Sequence, residues 1–461
     1  MGNARAIARP AASGRIASAF GVTTFSLAPS DRGLEMLELR VLYADGLAVW
    51  LNGVEVARRH LPRTGPSAIA SRLHGPEWET VYIGVAPSLM QLGTNTLAVE
   101  VHPGSSHAAP TFAAELVGRR DLAIVRGPML TRVGEATATI RVDTDPGAAA
   151  VLEWGTGGVL DHRRESPPGK THVFELDGLA GTISYRVHAG ATRSPLATFH
   201  VMPRAGDVIR IGVYGDVRGG HAIHRKLVEN MLGEALDLVA VTGDLVLRGS
   251  DLGDWQRFYA ITAPLLAQVL YRPAIGNHDL GADDLFSLPA SPYWYSTDVA
   301  DVHLVFLDSN AYERVEQEAW LDADLAAARA RKVRAIIVFT HDGPYSRGYH
   351  RGSELARTRY VPILTRHHVD LIVSGHDHLY QRGVVDGLHY IVSGGGGSSL
   401  YAISCGVEGK PACPVDDGMQ AIFREHHYLV VTVGKTTLEV CPRRVDSRLL
   451  EPCTRSPLWH P

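Results

Sequence analysis

Five short polar blocks stand out in this chain, and each directly follows a short apolar run. The blocks are Gly215–Asp216, Gly243–Asp244, Gly276–Asp279, Thr340–Asp342 and Gly375–His378. Because short apolar runs bounded by turn signals are typical of buried strands, each block is predicted to lie at a strand end. In an open α/β sheet ligands bind beyond the carboxyl ends of the strands, so the blocks are expected to meet at one edge.

The donor groups in these blocks suit two adjacent metal ions. The predicted ligands are Asp216, Asp244, Asn277, His341, His376 and His378. Oxygen and imidazole donors fit divalent or trivalent ions such as iron, zinc or manganese. A carboxylate such as Asp244 can contact both metal ions at once, and two adjacent metal ions activate water for attack on phosphorus. The residues therefore predict a metal-dependent phosphoester hydrolase.

Composition limits the alternatives. The chain has 461 residues, 45% of them hydrophobic and 20% charged, which predicts a soluble multidomain protein. A net charge of -4 provides no basic field for nucleic acid, so no specific nucleic-acid partner is expected. No apolar run is long enough to span a membrane, which predicts no transmembrane segment. The first 21 residues lack the apolar core of a signal peptide, so either the chain is cytoplasmic or an export signal is missing from it.

Four cysteines lie late in the chain, outside the polar blocks. Spacings of eight and twelve residues favour two local disulfides, Cys405–Cys413 and Cys441–Cys453, and with them an oxidising, extracytoplasmic compartment. Four unpaired thiols are the alternative.

The pattern of elements changes twice along the chain. The first 120 residues read as β structure, with Asn52-Gly53 as a hairpin signal, and a second series of short strands follows up to residue 205. From residue 206 onward strands alternate with helices, which we expect at 221–236, 318–331 and 355–368. The fold class predicted is multidomain, with two all-β sandwiches at 1–120 and 121–205 followed by an α/β domain at 206–461.

The order and spacing of the five blocks resemble the calcineurin-like metallophosphoesterase superfamily. The sequence GlyHisAspHisLeuTyrGlnArg at 375–382, with a β-sandwich before the domain, is most similar to its purple acid phosphatase branch. The resemblance implies a four-layer αββα domain that carries a dinuclear centre. By the resemblance, Asp216, Asp244 and His378 would hold one metal, and Asp244, Asn277, His341 and His376 the other. His278 would face the substrate and assist the leaving group, and we expect Asp279 to orient His278.

The N-terminal sequence resembles other modules. Residues 43–56 and 92–102 are similar to galactose-binding-like jelly-roll domains, which implies a carbohydrate or cell-surface ligand. Residues 121–205 resemble the fibronectin type III-like domain that precedes the catalytic domain in purple acid phosphatases. A structural spacer is the alternative role for the first module.

Two positions depart from the family pattern. Arg218 stands where the superfamily usually has a histidine, and Leu247 stands where the purple branch has a tyrosine. Three outcomes are open. His224 or His221 replaces the lost ligand, or the first metal binds weakly through the remaining ligands, or the site holds one metal or none. In the last case the fork of Arg218 would either clamp a phosphate or form an ion pair with a loop carboxylate.

Further substrate contacts are expected from a glycine-rich stretch that contains Tyr345 and His350. Taken together, the sequence favours an extracytoplasmic hydrolase of phosphomonoesters. A phosphodiesterase or nucleotide hydrolase is one alternative. A carbohydrate- or surface-binding protein with a degenerate phosphoesterase domain is the other.

Overall fold

The computed structural model of the protein describes residues 18–28, 36–65, 68–72, 77–84, 90–104, 112–119, 124–144, 149–167, 169–189, 192–281 and 293–459. Within these ranges a mostly β N-terminal region with several sheets precedes an α/β domain, so the predicted multidomain fold class is confirmed.

The first seven strands form two antiparallel sheets. They are β1 (Ala19–Leu27), β2 (Met36–Tyr43), β3 (Gly46–Leu51), β4 (Val54–Arg59), β5 (Glu77–Gly84), β6 (Gly93–His102) and β7 (Phe112–Arg119). The sheet orders are β1-β6-β3-β4 and β5-β2-β7. The Asn52-Gly53 turn joins β3 to β4 with φ of 49° and 82°, the conformation that this dipeptide favours. Alternating apolar residues such as Val41, Val49 and Val99 form the core between the sheets.

The next eight strands form a second pair of sheets. They are β8 (Ile124–Val133), β9 (Ala138–Thr144), β10 (Ala150–Thr156), β11 (His162–Ser166), β12 (Thr171–Leu176), β13 (Thr182–Ala189), β14 (Thr192–Arg193) and β15 (Ala197–His200). One sheet has the order β11-β10-β13-β14 with β15 also on β13, and the other has the order β12-β9-β8. The assignment of the two regions to jelly-roll and fibronectin type III-like modules, and the domain boundaries, stay predictions.

Strands and helices alternate in the remainder of the chain. The strands are β16 (Ile209–Tyr214), β17 (Leu238–Val241), β18 (Leu270–Pro273), β19 (Tyr295–Val299), β20 (Val302–Phe306), β21 (Ala335–Phe339), β22 (Leu371–Ser374), β23 (Tyr380–Val385), β24 (Leu388–Ser393), β25 (Met419–Phe423), β26 (His427–Val433), β27 (Thr437–Arg444) and β28 (Thr454–Pro457). The α-helices are α1 (His221–Leu232), α2 (Leu252–Leu266), α3 (Val315–Ala330) and α4 (Val361–Arg366). A 3-10 turn (Ser309–Ala311) and a π-helical turn (Ala356–Tyr360) complete these elements.

The α/β domain has four layers. Its two sheets have the orders β18-β17-β16-β26-β27-β28 and β19-β20-β21-β22-β24-β23-β25. Apolar residues of both sheets, such as Ile211 and Phe339, pack against each other. Leu227 of α1 and Phe258 of α2 cover the outer face of the first sheet, whereas Leu325 of α3 covers that of the second. Because β16, β17 and β18 run parallel, as do β20, β21, β22 and β24, their carboxyl ends share one edge.

The N-terminal sheets dock on the α/β domain through buried polar groups. His60 Nε2 lies 2.6 Å from the carboxylate of Asp251, whose other oxygen caps α2 by accepting from two backbone N–H groups. In the second region, the Tyr185 hydroxyl donates to the carbonyl of Ala267 at 2.7 Å. The two regions therefore hold α2 at both of its ends.

Both predicted disulfides are present, Cys405–Cys413 and Cys441–Cys453. Among the residues that the structure describes, no helix has the length and apolar character needed to cross a membrane.

Candidate metal centre

The five polar blocks meet at the shared edge of the two sheets. Asp216 follows β16, Asp244 follows β17 and His376 follows β22, and all three adopt a left-handed backbone, with φ of 58°, 56° and 68°. This conformation is costly for side chains other than glycine and concentrates at functional sites. The tight turn after each strand places the two carboxylates and the imidazole together at the edge of the sheets.

One cluster of donors consists of Asp216, Asp244 and His378. Their ligand atoms lie within 4.8 Å of one another, and all three side chains are buried. His378 Nδ1 bonds to the carbonyl of Ser399 at 2.7 Å, which leaves Nε2 facing Asp216 at 3.4 Å. Within the described part of the chain, this buried Nε2 has no hydrogen-bond partner. An imidazole nitrogen oriented in this way and left without a hydrogen bond fits a metal ligand.

A second cluster surrounds His341, which is fully enclosed. Its Nδ1 bonds to the carbonyl of Thr242 at 2.8 Å, so Nε2 is free to face the site. That Nε2 lies 3.1 Å from Asn277 Oδ1, 3.1 Å from His376 Nδ1 and 3.3 Å from Asp244 Oδ1. Four donors from four loops thus converge, and Asp244 belongs to both clusters.

The charges of these side chains also call for cations. Burial raises the pKa of the Asp216 carboxyl. At Asp244 burial acts in the same direction, but His341, His278 and Arg218 outweigh it and lower the pKa. Burial alone would lower the pKa of His341, yet the two carboxylates raise it. Positive charge is therefore favoured between Asp216 and Asp244, which is what a metal ion supplies.

Two glycines leave room for this arrangement. A Cβ on Gly276 would lie 2.3 Å from Asp244 Oδ1, and one on Gly243 would lie 2.7 Å from His341 Nδ1. Gly243 also has a φ of 91°, which disfavours any other residue. The glycines that precede Asn277 and Asp244 thus allow the ligand loops to touch.

Arg218 lies against the carboxylate that belongs to both donor clusters. Its Nε donates to Asp244 Oδ2 at 2.7 Å. Tyr401, which was not predicted from the sequence, interacts electrostatically with Arg218 and stacks on the His378 ring with a centroid separation of 4.0 Å. The only sequence signal for Tyr401 is its position just after the glycine-rich segment 394–397.

His224 does not replace the missing ligand, so that prediction is wrong. It is buried between α1 and α2, where Nε2 meets the Tyr214 hydroxyl at 3.2 Å and the ring stacks on Phe258 at 5.7 Å. His221 Nε2 lies 3.3 Å from the guanidinium of Arg257 on α2. The apolar helix face that suggested an inward-pointing ligand instead places His224 in the core.

Replacing His224 with glutamine is expected to reduce acid sensitivity and leave metal content unchanged. Burial lowers the pKa of His224 from 6.5 to about 3. Between these values only the unfolded chain binds the proton, so the stability present above pH 6.5 is lost as the pH falls, at about 1.4 kcal/mol per pH unit. Thermal unfolding at pH 4.5 and 7.5 with a chelator present checks this. The exposed His200→Gln is the control, and an unchanged pH dependence in His224→Gln would contradict the assignment.

His278 and Asp279 have different roles. His278 is partly exposed at the site, and its Nδ1 donates to the carbonyl of Leu247 at 2.8 Å. Asp279 does not contact that ring. Its carboxylate accepts from the backbone N–H groups of Asp244, Leu245, Val246 and Gly276. Burial, reinforced by Asp244, raises the pKa of Asp279 to about 7. The expectation that Asp279 orients His278 is therefore wrong, and Asp279 instead anchors the loop that carries Asp244.

The two residues expected in a substrate loop are placed differently. His350 is exposed and stacks on His376 with a centroid separation of 3.8 Å, so it lies at the entrance to the second cluster. Tyr345 is 6% exposed and packs against Tyr390, which places it in the core under the sheet. Tyr345 is therefore not a substrate residue. The glycine-rich stretch turns inward at Tyr345 and outward at His350.

Comparison with known proteins adds to this geometry. The sequence model of the family described as calcineurin-like phosphoesterase matches residues 209–380, the segment that holds every predicted ligand. This segment is a calcineurin-like phosphoesterase domain. It is a domain of the phosphoester hydrolase class, and the recognition made from the polar blocks is confirmed.

Relatives of the phosphoesterase domain include plant enzymes. The chain is 25% identical to Purple acid phosphatase 22 of Arabidopsis thaliana over 313 residues, which cover 61% of the chain and 70% of that protein. It is 35% identical to Purple acid phosphatase 21 of the same plant over 236 residues, covering 46% of the chain and only 53% of the relative. A purple acid phosphatase from yellow lupin seeds has the same fold, with a TM-score of 0.63 at 17% identity over 95% of this chain and 93% of that one.

Proposed function

We propose that the protein is a phosphoester hydrolase with a dinuclear metal centre and a preference for phosphomonoesters. The observation that carries the proposal is the pair of donor clusters that share the buried carboxylate of Asp244. Asp216, Asp244 and His378 would hold one ion. Asp244, Asn277, His341 and His376 would hold the other. When bound, the ions polarise the phosphoryl group and lower the pKa of water.

The chain's own residues position the ester. Arg218, fixed by Asp244, presents its remaining N–H groups to the phosphoryl oxygens. His278 keeps its Nδ1–H on the Leu247 carbonyl, so its Nε2 is the atom that carries a proton to the leaving oxygen. His350, stacked over His376, lies at the entrance to the second cluster. Arg218 also neutralises part of the charge on Asp244, and it supplies no ligand at the position where the superfamily usually has a histidine for the first ion. We therefore expect the first ion to bind more weakly than the second.

The proposed setting is extracytoplasmic. Two local disulfides support an oxidising compartment, because such bonds are rare in reducing ones. A carbohydrate or cell-surface ligand for the N-terminal region stays a prediction from resemblance.

Metal removal tests the function directly. The purified chain is expected to hold up to two equivalents of iron, zinc or manganese by inductively coupled plasma mass spectrometry and to hydrolyse p-nitrophenyl phosphate faster than its bis ester. Dialysis against a chelator should abolish turnover, and one of these metals should restore it. Turnover that survives complete metal removal, or its absence with each metal added, would refute the proposal. Faster cleavage of the bis ester would assign a phosphodiesterase instead.

A further inference from the structure

Arg347 lies three positions before His350, in the stretch 346–350, which we call the entrance segment. Its guanidinium forks onto the carboxylate of Asp417, with Nε donating to Oδ2 at 2.7 Å and Nη2 donating to Oδ1 at 2.6 Å. The two side chains are only 15% and 5% exposed. Two parallel bonds fix the plane of a guanidinium as well as its position, so the entrance segment has a rigid point close to His350.

The backbone of Arg347 is bound as well. Its N–H donates to Gln381 Oε1 on β23 at 2.8 Å, and its carbonyl accepts from the N–H of Ser404 at 2.7 Å. Gln381 is fully buried, and its Nε2 donates to Asp417 Oδ2 at 3.1 Å, which closes the network. Arg347 is therefore attached both to the second sheet and to the segment that follows β24.

The third contact of the guanidinium reaches a cross-linked loop. Arg347 Nη1 donates to the carbonyl of Gly406 at 2.9 Å, and Gly406 lies between Cys405 and Cys413. We call residues 405–413 the disulfide loop. A Cβ on Gly406 would lie 2.6 Å from Arg347 Nη1 and 2.9 Å from Cys413 Sγ, so the guanidinium and the disulfide pack closely around this glycine. A cross-link over eight positions restricts the loop that receives Arg347.

The other end of the entrance segment meets the donor residues. The backbone N–H of His350 donates at 3.0 Å to the buried carboxylate of Asp377, which separates two of the predicted ligands in the sequence. The His350 ring stacks on His376 at 3.8 Å and lies 5.6 Å from the ring of Tyr401, four positions before the disulfide loop. The position of His350 thus depends on the ligand block and on the segment that Arg347 binds.

Resting on the proposed function, we propose that Arg347 is a positioning residue that ties the entrance segment to the disulfide loop and so fixes His350 for contact with the phosphoryl group. The donors of Arg347 are directed to Asp417 and Gly406, so it acts through His350. Because His350 lies at the entrance to the second cluster, its displacement should weaken binding of the ester more than it slows turnover.

The first test replaces Arg347 with lysine, which keeps a cation beside Asp417 but cannot form the fork. In the metal-loaded protein we expect KM for p-nitrophenyl phosphate to rise about tenfold and kcat to change less than about twofold. The matched control is Arg382→Lys, because Arg382 forks onto Glu451 in the same domain. Equal KM values in the two variants would overturn the proposal.

A double-mutant cycle separates positioning from general support of the fold. If Arg347 acts through His350, Arg347→Lys should raise KM by less than about twofold in a His350→Gln background, because the contact it supports is already lost. A rise of about tenfold in both backgrounds would show that the effect does not pass through His350, and the proposal would fail.

Opening the disulfide loop gives an independent variant. Serine at both Cys405 and Cys413 should raise KM in the same direction as Arg347→Lys. Serine at both Cys441 and Cys453 is the control, since that disulfide joins β27 to the residue before β28, strands that lie two and three positions from β16 in the first sheet. Equal KM values in the two double variants would contradict a role for the disulfide loop.

Failure of the hydrolase and failure of the positioning role are distinguishable. If the wild type hydrolyses no ester with any added metal, the proposed function fails. Hydrogen exchange measured by mass spectrometry on peptides that cover residues 346–352 then decides for Arg347. Faster exchange in Arg347→Lys than in Arg382→Lys supports the positioning role, and equal exchange overturns it.

Discussion

An Asp244→Asn variant is expected to hydrolyse p-nitrophenyl phosphate at least about 1000-fold more slowly than the wild type and to bind less metal. Asp244 is the one carboxylate common to both donor clusters, and it also pairs with the partly buried Arg218. The amide keeps the size of the side chain but removes the negative charge that would hold the two proposed cations. A loss of roughly 4 kcal/mol of transition-state stabilisation corresponds to this factor.

The control for this variant is Asp386→Asn. Asp386 is exposed and has a φ of 50°, close to the 56° of Asp244, and asparagine tolerates this backbone conformation well. Both variants should therefore fold, which circular dichroism checks. Full metal content together with full turnover in Asp244→Asn would show that the shared carboxylate does not organise the centre.

The second large effect is expected at His278. A His278→Gln variant should lower kcat about 100- to 1000-fold while leaving metal stoichiometry unchanged, because the ring faces the site without belonging to either donor cluster. The glutamine amide can still donate to the Leu247 carbonyl, so the loop should keep its path. Steady-state kinetics and mass spectrometry on the same samples measure both quantities.

Two comparisons make this result specific. His162→Gln, at an exposed histidine on β11, should behave as the wild type. The loss in His278→Gln should also be smaller for p-nitrophenyl phosphate than for an alkyl phosphate, since a phenolate with an acidic conjugate acid needs less help from a proton donor. Equal losses on both esters would exclude leaving-group protonation as the role of His278.

The sequence was most informative where the backbone dictates position. Apolar runs followed by Gly-Asp or Gly-His place their polar residues at strand ends, so the side chains predicted as ligands, from Asp216 to His378, lie together at the sheet edge. That they bind metal stays a prediction. The predicted helices at 221–236 and 318–331 correspond to α1 and α3, whose apolar faces repeat at helical spacing. The two disulfides followed from spacing alone.

Residues defined by tertiary contacts were missed. Helix α2 was not predicted, because Gly253 and Pro264 interrupt its pattern, and its stability comes from the Asp251 cap and from apolar residues packed on the first sheet. Tyr401 reaches Arg218 and His378 from a loop far along the chain, which no local spacing reports. His224 and Tyr345 show the opposite error. They were predicted to bind metal and substrate, respectively, because they lie near ligand blocks in the sequence, but both side chains are buried in the core.

The close packing of the N-terminal region against α2 limits how far the chain can be truncated. A Cβ on Gly253 would lie 2.6 Å from Glu79 Cδ, so Glu79 packs closely against the start of α2. His60 Nε2 contacts the oxygen of Asp251 that does not cap the helix. Asp251 lies seven positions after Asp244. Deleting the N-terminal strands would therefore remove the contact that supports the start of α2, close to the loop that carries Asp244. We therefore expect the phosphoesterase domain to be less stable around α2 when the residues that pack on this helix are removed. A fusion protein that contains this domain should therefore also include the segments around His60 and Glu79.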